Sequence, residues 1–242
     1  MAHGAPDDSN IIKVGDTYRL DDMAELAARL GSPVGYHRFG DVIWMETFEG
    51  GLGAWQVYES STDMHVYLQS SHCLSAGVGA ELLTGAASPE YAGIHRRSPF
   101  YTSTRIGLSV MYSCSGDGGL VSLELLYHEG TAYHMGTVRI QHASGDVHYA
   151  NSAGVWTLIA NLGRLDAAGV VWYPAKLIID TALDMFVGLH FAGSYLDLSD
   201  QLLRTFASTD APRSGAVIRL HAPDATAHSA YIDSAVFTVN EF

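Results

Sequence analysis

A chain of 242 residues that is 48% hydrophobic and 10% aromatic has apolar mass enough for a sizeable core, which excludes intrinsic disorder. Its formal net charge is -13, and Lys13 and Lys176 are its only lysines. A surface this acidic repels phosphate backbones and anionic lipid, against nucleic-acid or membrane-surface partners, and no run of about 18 apolar residues offers a transmembrane helix.

The first ten residues, "MAHGAPDDSN", have neither the positive n-region nor the apolar h-region of a signal peptide. That points to synthesis and folding in a cytoplasm. Residues 1–20 read as a polar arm with one apolar patch at Ile11, Ile12 and Val14. "DDMAELAARLGSP" predicts one short helix: Asp22 caps it, Glu25 completes a capping box, and Leu26 and Leu30 share a face. Gly31 and Pro33 stop it. Residues 1–40 thus form an arm and helix, and residues 41–242 a separate β domain.

From about residue 41 the apolar period becomes two. "RIGLSVMYS" places Ile106, Leu108, Val110 and Tyr112 on one face. "LVSLELLYH" places Leu123, Leu125 and Tyr127 on one side, with Glu124 and His128 on the other. Similar segments continue to "SAYIDSAVFTV", where Tyr231, Asp233, Ala235, Phe237 and Val239 share one parity. In "FAGSYLDL", Gly193-Ser194 suits a two-residue hairpin turn. A dozen or more short strands with turn signals and no alternating helices predict an antiparallel β-sandwich.

Several constellations invite a chemical reading. Glu46 and Glu49 are three apart and Glu124 and Glu129 five apart, so on a strand the members of each pair point to opposite faces and cannot form a glycosidase carboxyl pair. His128, Glu129 and His134, or His142, Asp146 and His148 across a turn at Ser144-Gly145, hold metal-ligand types at spacings that match no zinc motif. Polar-face or interface histidines explain them as well. Trp55, Trp156 and Trp172 offer a sugar-stacking platform or simply core. Cys73 and Cys114 predict two buried free thiols. No nucleophile elbow or phosphate-binding loop occurs, so no catalytic residue is assigned.

"FEGGLGAW" (residues 48–55) and "YIDSAVF" (231–237) together resemble the opening and closing strands of the concanavalin A-like lectin and glucanase group of jelly rolls. In that group a Glu of the first motif and the closing Asp often share a structural calcium, so the resemblance implies Glu49 and Asp233 as calcium ligands completed by backbone carbonyls. The alternative is that Asp233 accepts backbone N–H bonds and Glu49 is solvated. "ELAARLGSPVGYHRFGDVIWMETFEGGLGAW" also resembles uncharacterised phage virion-associated proteins in which a helix leads into a sandwich. That resemblance implies a non-enzymatic virion protein, such as a capsid decoration, minor capsid or tail component. The arm and single-stripe helix of residues 1–40 have little reason to fold alone and predict assembly as a homo-oligomer, a trimer for preference, with other virion proteins. A carbohydrate-binding module contacting surface glycans is the alternative, and a glycoside hydrolase or lyase a further one.

Overall fold

The computed structural model describes residues 40–74, 77–86, 90–101, 104–116, 119–166 and 168–241. The expected arm and the helix capped by Asp22 lie outside the described residues. Among the described residues, sixteen strands, numbered in chain order, form two antiparallel sheets. Sheet I holds β1 (Asp41–Glu46), β3 (His65–Gln69), β4 (Gly79–Leu83), β6 (Arg105–Ser115), β11 (Tyr173–Asp180), β12 (Met185–Phe191), β13 (Ser194–Asp197) and β16 (Ser229–Val239). Sheet II holds β2 (Gln56–Glu59), β5 (Glu90–Ser98), β7 (Leu120–His128), β8 (Ala132–Gln141), β9 (Asp146–Ala150), β10 (Trp156–Asn161), β14 (Arg204–Ala207) and β15 (Arg213–Ala222). The order in sheet I is β13-β12-β11-β6-β16-β4-β3, and in sheet II β10-β9-β8-β7-β15-β5-β2.

The core lies between the sheets. Ile106, Leu108, Val110 and Tyr112 of β6 are fully buried there, with Val121, Leu123, Leu125 and Tyr127 of β7 in the same cluster. Strict alternation along these strands sends every second side chain to the outside of its sheet. The parity expected of β6 and β7 therefore holds.

In β16 it holds only in part. The pairing of β16 with β6 shifts register between Ile232 and Ser234, a β-bulge centred on Asp233. Before the bulge Ala230 and Ile232 enter the core; after it Ala235, Phe237 and Val239 do. Tyr231 is therefore not on the Phe237 face, because the extra residue reverses the alternation. It stacks instead on His72, with ring centroids 4.1 Å apart. The bulge also divides the edge of β16 between two partners: β4 pairs with Ser229–Ile232 and β1 with Ala235–Val239.

The hairpin β12–β13 forms, but one residue earlier than its sequence suggests. Phe191 pairs with Ser194, and the turn residues Ala192 and Gly193 have φ of 49° and 83°. Positive φ at both positions gives the twist that joins antiparallel strands tightly, and Ser194 already belongs to β13. Both cysteines are free, as expected, yet only Cys114 is buried; Cys73 is partly exposed. Burial pushes the Cys114 thiol up to about 12, which keeps it protonated and inert.

Candidate functional site: the outer face of sheet II

The opening corner is structural. Glu46 Oε1 accepts the Phe48 N–H at 2.9 Å. Its Oε2 accepts the Trp55 indole N–H at 3.2 Å and an Arg96 N–H at 3.0 Å. The Arg96 guanidinium lies over the Trp44 ring, 4.4 Å from its centroid. Glu46 thereby fixes the reversal between β1 and β2 and is committed to it.

Glu49 and Asp233 converge on one segment. The Gly77 and Val78 N–H groups donate to Glu49 Oε1 at 2.5 and 3.0 Å. Asp233, fully buried at the bulge, accepts the Leu74 N–H at 2.8 Å. Each carboxylate clamps the stretch after β3 through backbone donors, so Glu49 is not simply solvated. No group of three or more His, Cys, Asp or Glu side chains among the described residues is arranged to hold a metal ion. Both carboxylates here accept N–H donors, so a calcium at Glu49 and Asp233 would need carbonyl oxygens in addition to complete its shell.

The histidine sets do not assemble. His142 turns inward, its Nε2 3.2 Å from the Tyr112 hydroxyl and its Nδ1 2.9 Å from the Asp166 carbonyl. His148 instead pairs beside Arg139, and Asp146 accepts the Asn161 amide at 2.6 Å. His128 stacks on Tyr133, whereas His134 stacks on Tyr127 and lies 3.6 Å from Glu129. The tryptophans divide as well. Trp55 joins the core, Trp172 packs with Met111 and Val236, and Trp156 stands at the edge of sheet II.

The polar residues that do converge lie on the outer face of sheet II. Pairing places Arg139, Ser122, Arg219, Gly93 and Tyr58 in one row across β8, β7, β15, β5 and β2. The adjacent row is Thr137, Glu124, Val217, His95 and Gln56. Glu124 is only 3% exposed and ion-paired with Arg219. Burial pushes its carboxyl up, and the Arg219 guanidinium pulls it back. His95 is stacked on Tyr58, whose hydroxyl lies 3.3 Å from Nδ1. Desolvation first, then the nearby Arg97, Arg219 and Arg213, lowers His95 to about 4, so its imidazole is neutral near pH 7.

Two glycines make room for these groups. A Cβ at Gly93 would lie 2.7 Å from Cγ of Arg219, and one at Gly215 would lie 2.8 Å from Nε2 of His95. The larger side chains lie across the glycines, which is how a crowded face holds an arginine and a histidine flat. Several buried polar atoms here are left without a hydrogen-bond partner: His95 Nε2, Glu124 Oε2, Thr137 Oγ1, His148 Nδ1 and the Nε atoms of Arg139 and Arg219. Unpaired buried polar groups cost about 1–3 kcal/mol each, so this crowded polar layer is held at a cost to stability. Rings border it. Tyr91 lies under Arg219 and Trp156 under Arg139, at 5.3 and 4.1 Å from centroid to guanidinium carbon.

No family model and no curated protein sequence matches the chain. Solved structures do. The endo-β-1,4-glucuronan lyase of the fungus Trichoderma reesei matches 82% of this chain and 95% of its own, with a TM-score of 0.58 and 11% identity. A carbohydrate esterase from a Shiga toxin-encoding bacteriophage matches 84% of this chain and all of its own, with a TM-score of 0.53 and 13% identity. Peanut lectin matches 82% of this chain and 97% of its own, with a TM-score of 0.51 and 11% identity. The fold is the concanavalin A-like jelly roll. In this jelly roll, the motifs "FEGGLGAW" and "YIDSAVF" sit at the first corner and the last strand, as their sequence resemblance implied.

Proposed function

We propose that the protein binds carbohydrate on the outer face of sheet II. The observation that carries this reading is the row of polar side chains across that face, bordered by Tyr58, Tyr91 and Trp156. Sugar hydroxyls both donate to and accept from a polar row of this kind, and pyranose faces pack on aromatic rings. The similar structures named above include a lectin and two proteins named for action on carbohydrate. Screening the full chain on a glycan panel should identify at least one ligand, and Trp156→Ala should weaken it about tenfold. Absence of any hit at millimolar saccharide would remove the reading.

Binding, not hydrolysis, suits the arrangement. A retaining glycosidase needs a second carboxyl about 5–5.5 Å from the first. The immediate neighbours of Glu124 in its row are Thr137 and Val217, and Glu124 itself is held by Arg219. Polysaccharide turnover abolished by Glu124→Gln would overturn the non-enzymatic part of the proposal. On a virion, the setting suggested by the sequence, such a face would serve attachment to host glycans. Particles carrying the protein should then be displaced by the same soluble saccharide.

We also propose that Glu49 and Asp233 hold a calcium ion. The support is their contacts with Leu74, Gly77 and Val78 together with the resemblance. Chelator should lower the melting temperature, added calcium should restore it, and Asp233→Asn should abolish the response. A melting temperature indifferent to chelator would leave the backbone N–H clamp as the whole role of both residues.

A further inference from the structure

Among the described residues, the basic side chains of this acidic chain are unevenly placed. The whole sequence carries 13 Lys and Arg against 26 Asp and Glu. Yet Arg97 of β5, Arg139 of β8, Arg204 of β14, and Arg213 and Arg219 of β15 all belong to sheet II. Alternation against the core residues Ile94, Val138, Ile218 and Leu220 puts Arg97, Arg139, Arg213 and Arg219 on its outer face. Arg204 lies over the Phe206 ring, which stacks on Tyr133 of that face. Two of the five have carboxylate partners: Arg219 pairs with Glu124, and Arg213 with Asp210 at 2.7 Å.

The other three have none among the described residues. Arg97 reaches only the Gln56 side-chain oxygen, at 3.5 Å. Arg139 and Arg204 lie over rings, and Arg139 is partly buried. Arg139 and Arg204, partly buried without a counter-charge, are costly unless an anion reaches them, and Arg97 is exposed and open to one. Arginine's planar fork is suited to carboxylate and sulfate oxygens, which it can hold with two parallel bonds. The field agrees with the count, because the arginines that flank His95 contribute to its neutrality.

We propose that the saccharide bound by this face is acidic, with its carboxylate or sulfate groups received by Arg97, Arg139 and Arg204. This rests on the carbohydrate-binding reading and narrows it. Arg139 and Arg97 lie on strands three places apart in sheet II, about 14 Å. Arg97 is a further four residues along β5 from Gly93 of Arg139's row, about 13 Å at right angles to the first. A ligand that engages both is an oligosaccharide, not a single sugar. The rings and the neutral polar row between them distinguish such a ligand from a bare polyanion. The two positive ends are joined by the row of Thr137, Glu124 and His95.

The test uses the full chain on immobilised neutral, uronate-bearing and sulfated oligosaccharides of matched length, with a single-stranded oligonucleotide as a generic polyanion. Acidic glycans should bind at least tenfold tighter than neutral ones and more weakly as salt rises. Arg97→Gln combined with Arg204→Gln should remove that preference without lowering the melting temperature. Binding confined to neutral glycans would leave the carbohydrate reading standing and sink this one. Failure of every glycan would remove both. Equal capture of the oligonucleotide, or unchanged affinity in the double variant, would also overturn the proposal.

Discussion

Replacing Lys176 by methionine should cost about 3–5 kcal/mol, while replacing Lys176 and Glu241 together by apolar residues should restore most of it. Lys176 is 1% exposed in the middle of β11, and its Nζ lies 2.7 Å from Glu241 Oε1. The Thr238 hydroxyl donates to the same oxygen. Backbone is cleared for this carboxylate: a Cβ at Gly107 would lie 2.7 Å from Oε1, and one at Gly40 2.5 Å. Removing the ammonium leaves a carboxylate that water cannot reach, whereas removing both charges also removes the desolvation cost. Urea denaturation at pH 7 of the single and double variants separates the terms. A Lys176→Met protein as stable as wild type would show that the ion pair does not sustain the last strand.

The sandwich was legible because two of its central strands bury one face and turn the other outward. Ile106 to Tyr112 and Leu123 to Tyr127 alternate without interruption, so parity alone assigned their core side chains. Parity failed where the backbone inserts a residue. Nothing in "SAYIDSAVFTV" marks Asp233 as a bulge, because the bulge arises from the change of partner between β4 and β1 along the edge of β16. The hairpin error has a similar cause. Ala192 is a poor candidate for positive φ by composition, yet the register set by Phe191 and Ser194 imposes it.

The candidate site was less legible than the fold. Glu49 and Asp233 were visible through short motifs, and Glu124 and His128 through their position opposite core residues. What the chain order hides is that residues near 95, 124 and 219 lie in one patch. They meet only when β15 inserts between β5 and β7, a pairing that local pattern does not specify. The usable signal was alternation of charge with apolar residues in "VIRLH" and "TVRIQ", which places arginines opposite a core face. Without the strand order, those arginines read as ordinary solvated positions.

Arg219→Met should destabilise the protein by about 3 kcal/mol at pH 8, and much less at pH 5. Arg219 is the cation paired with Glu124, which is buried under the outer face of sheet II. Without Arg219, desolvation acts on Glu124 largely unopposed, and its folded-state pKa rises further above the unfolded value of about 4.3. A carboxyl whose folded pKa is raised binds its proton more tightly in the folded state. The variant is therefore most stable below the unfolded pKa, and loses stability as pH rises through the folded one. Arg219 also lowers His95, so wild type is the wrong reference for the pH effect. The comparison that isolates Glu124 is Arg219→Met against the double variant Arg219→Met, Glu124→Gln. The double variant should be the more stable of the two at pH 8, and the gap should close by pH 5. A gap independent of pH would mean that Arg219 acts through packing across Gly93 and not through the charge of Glu124.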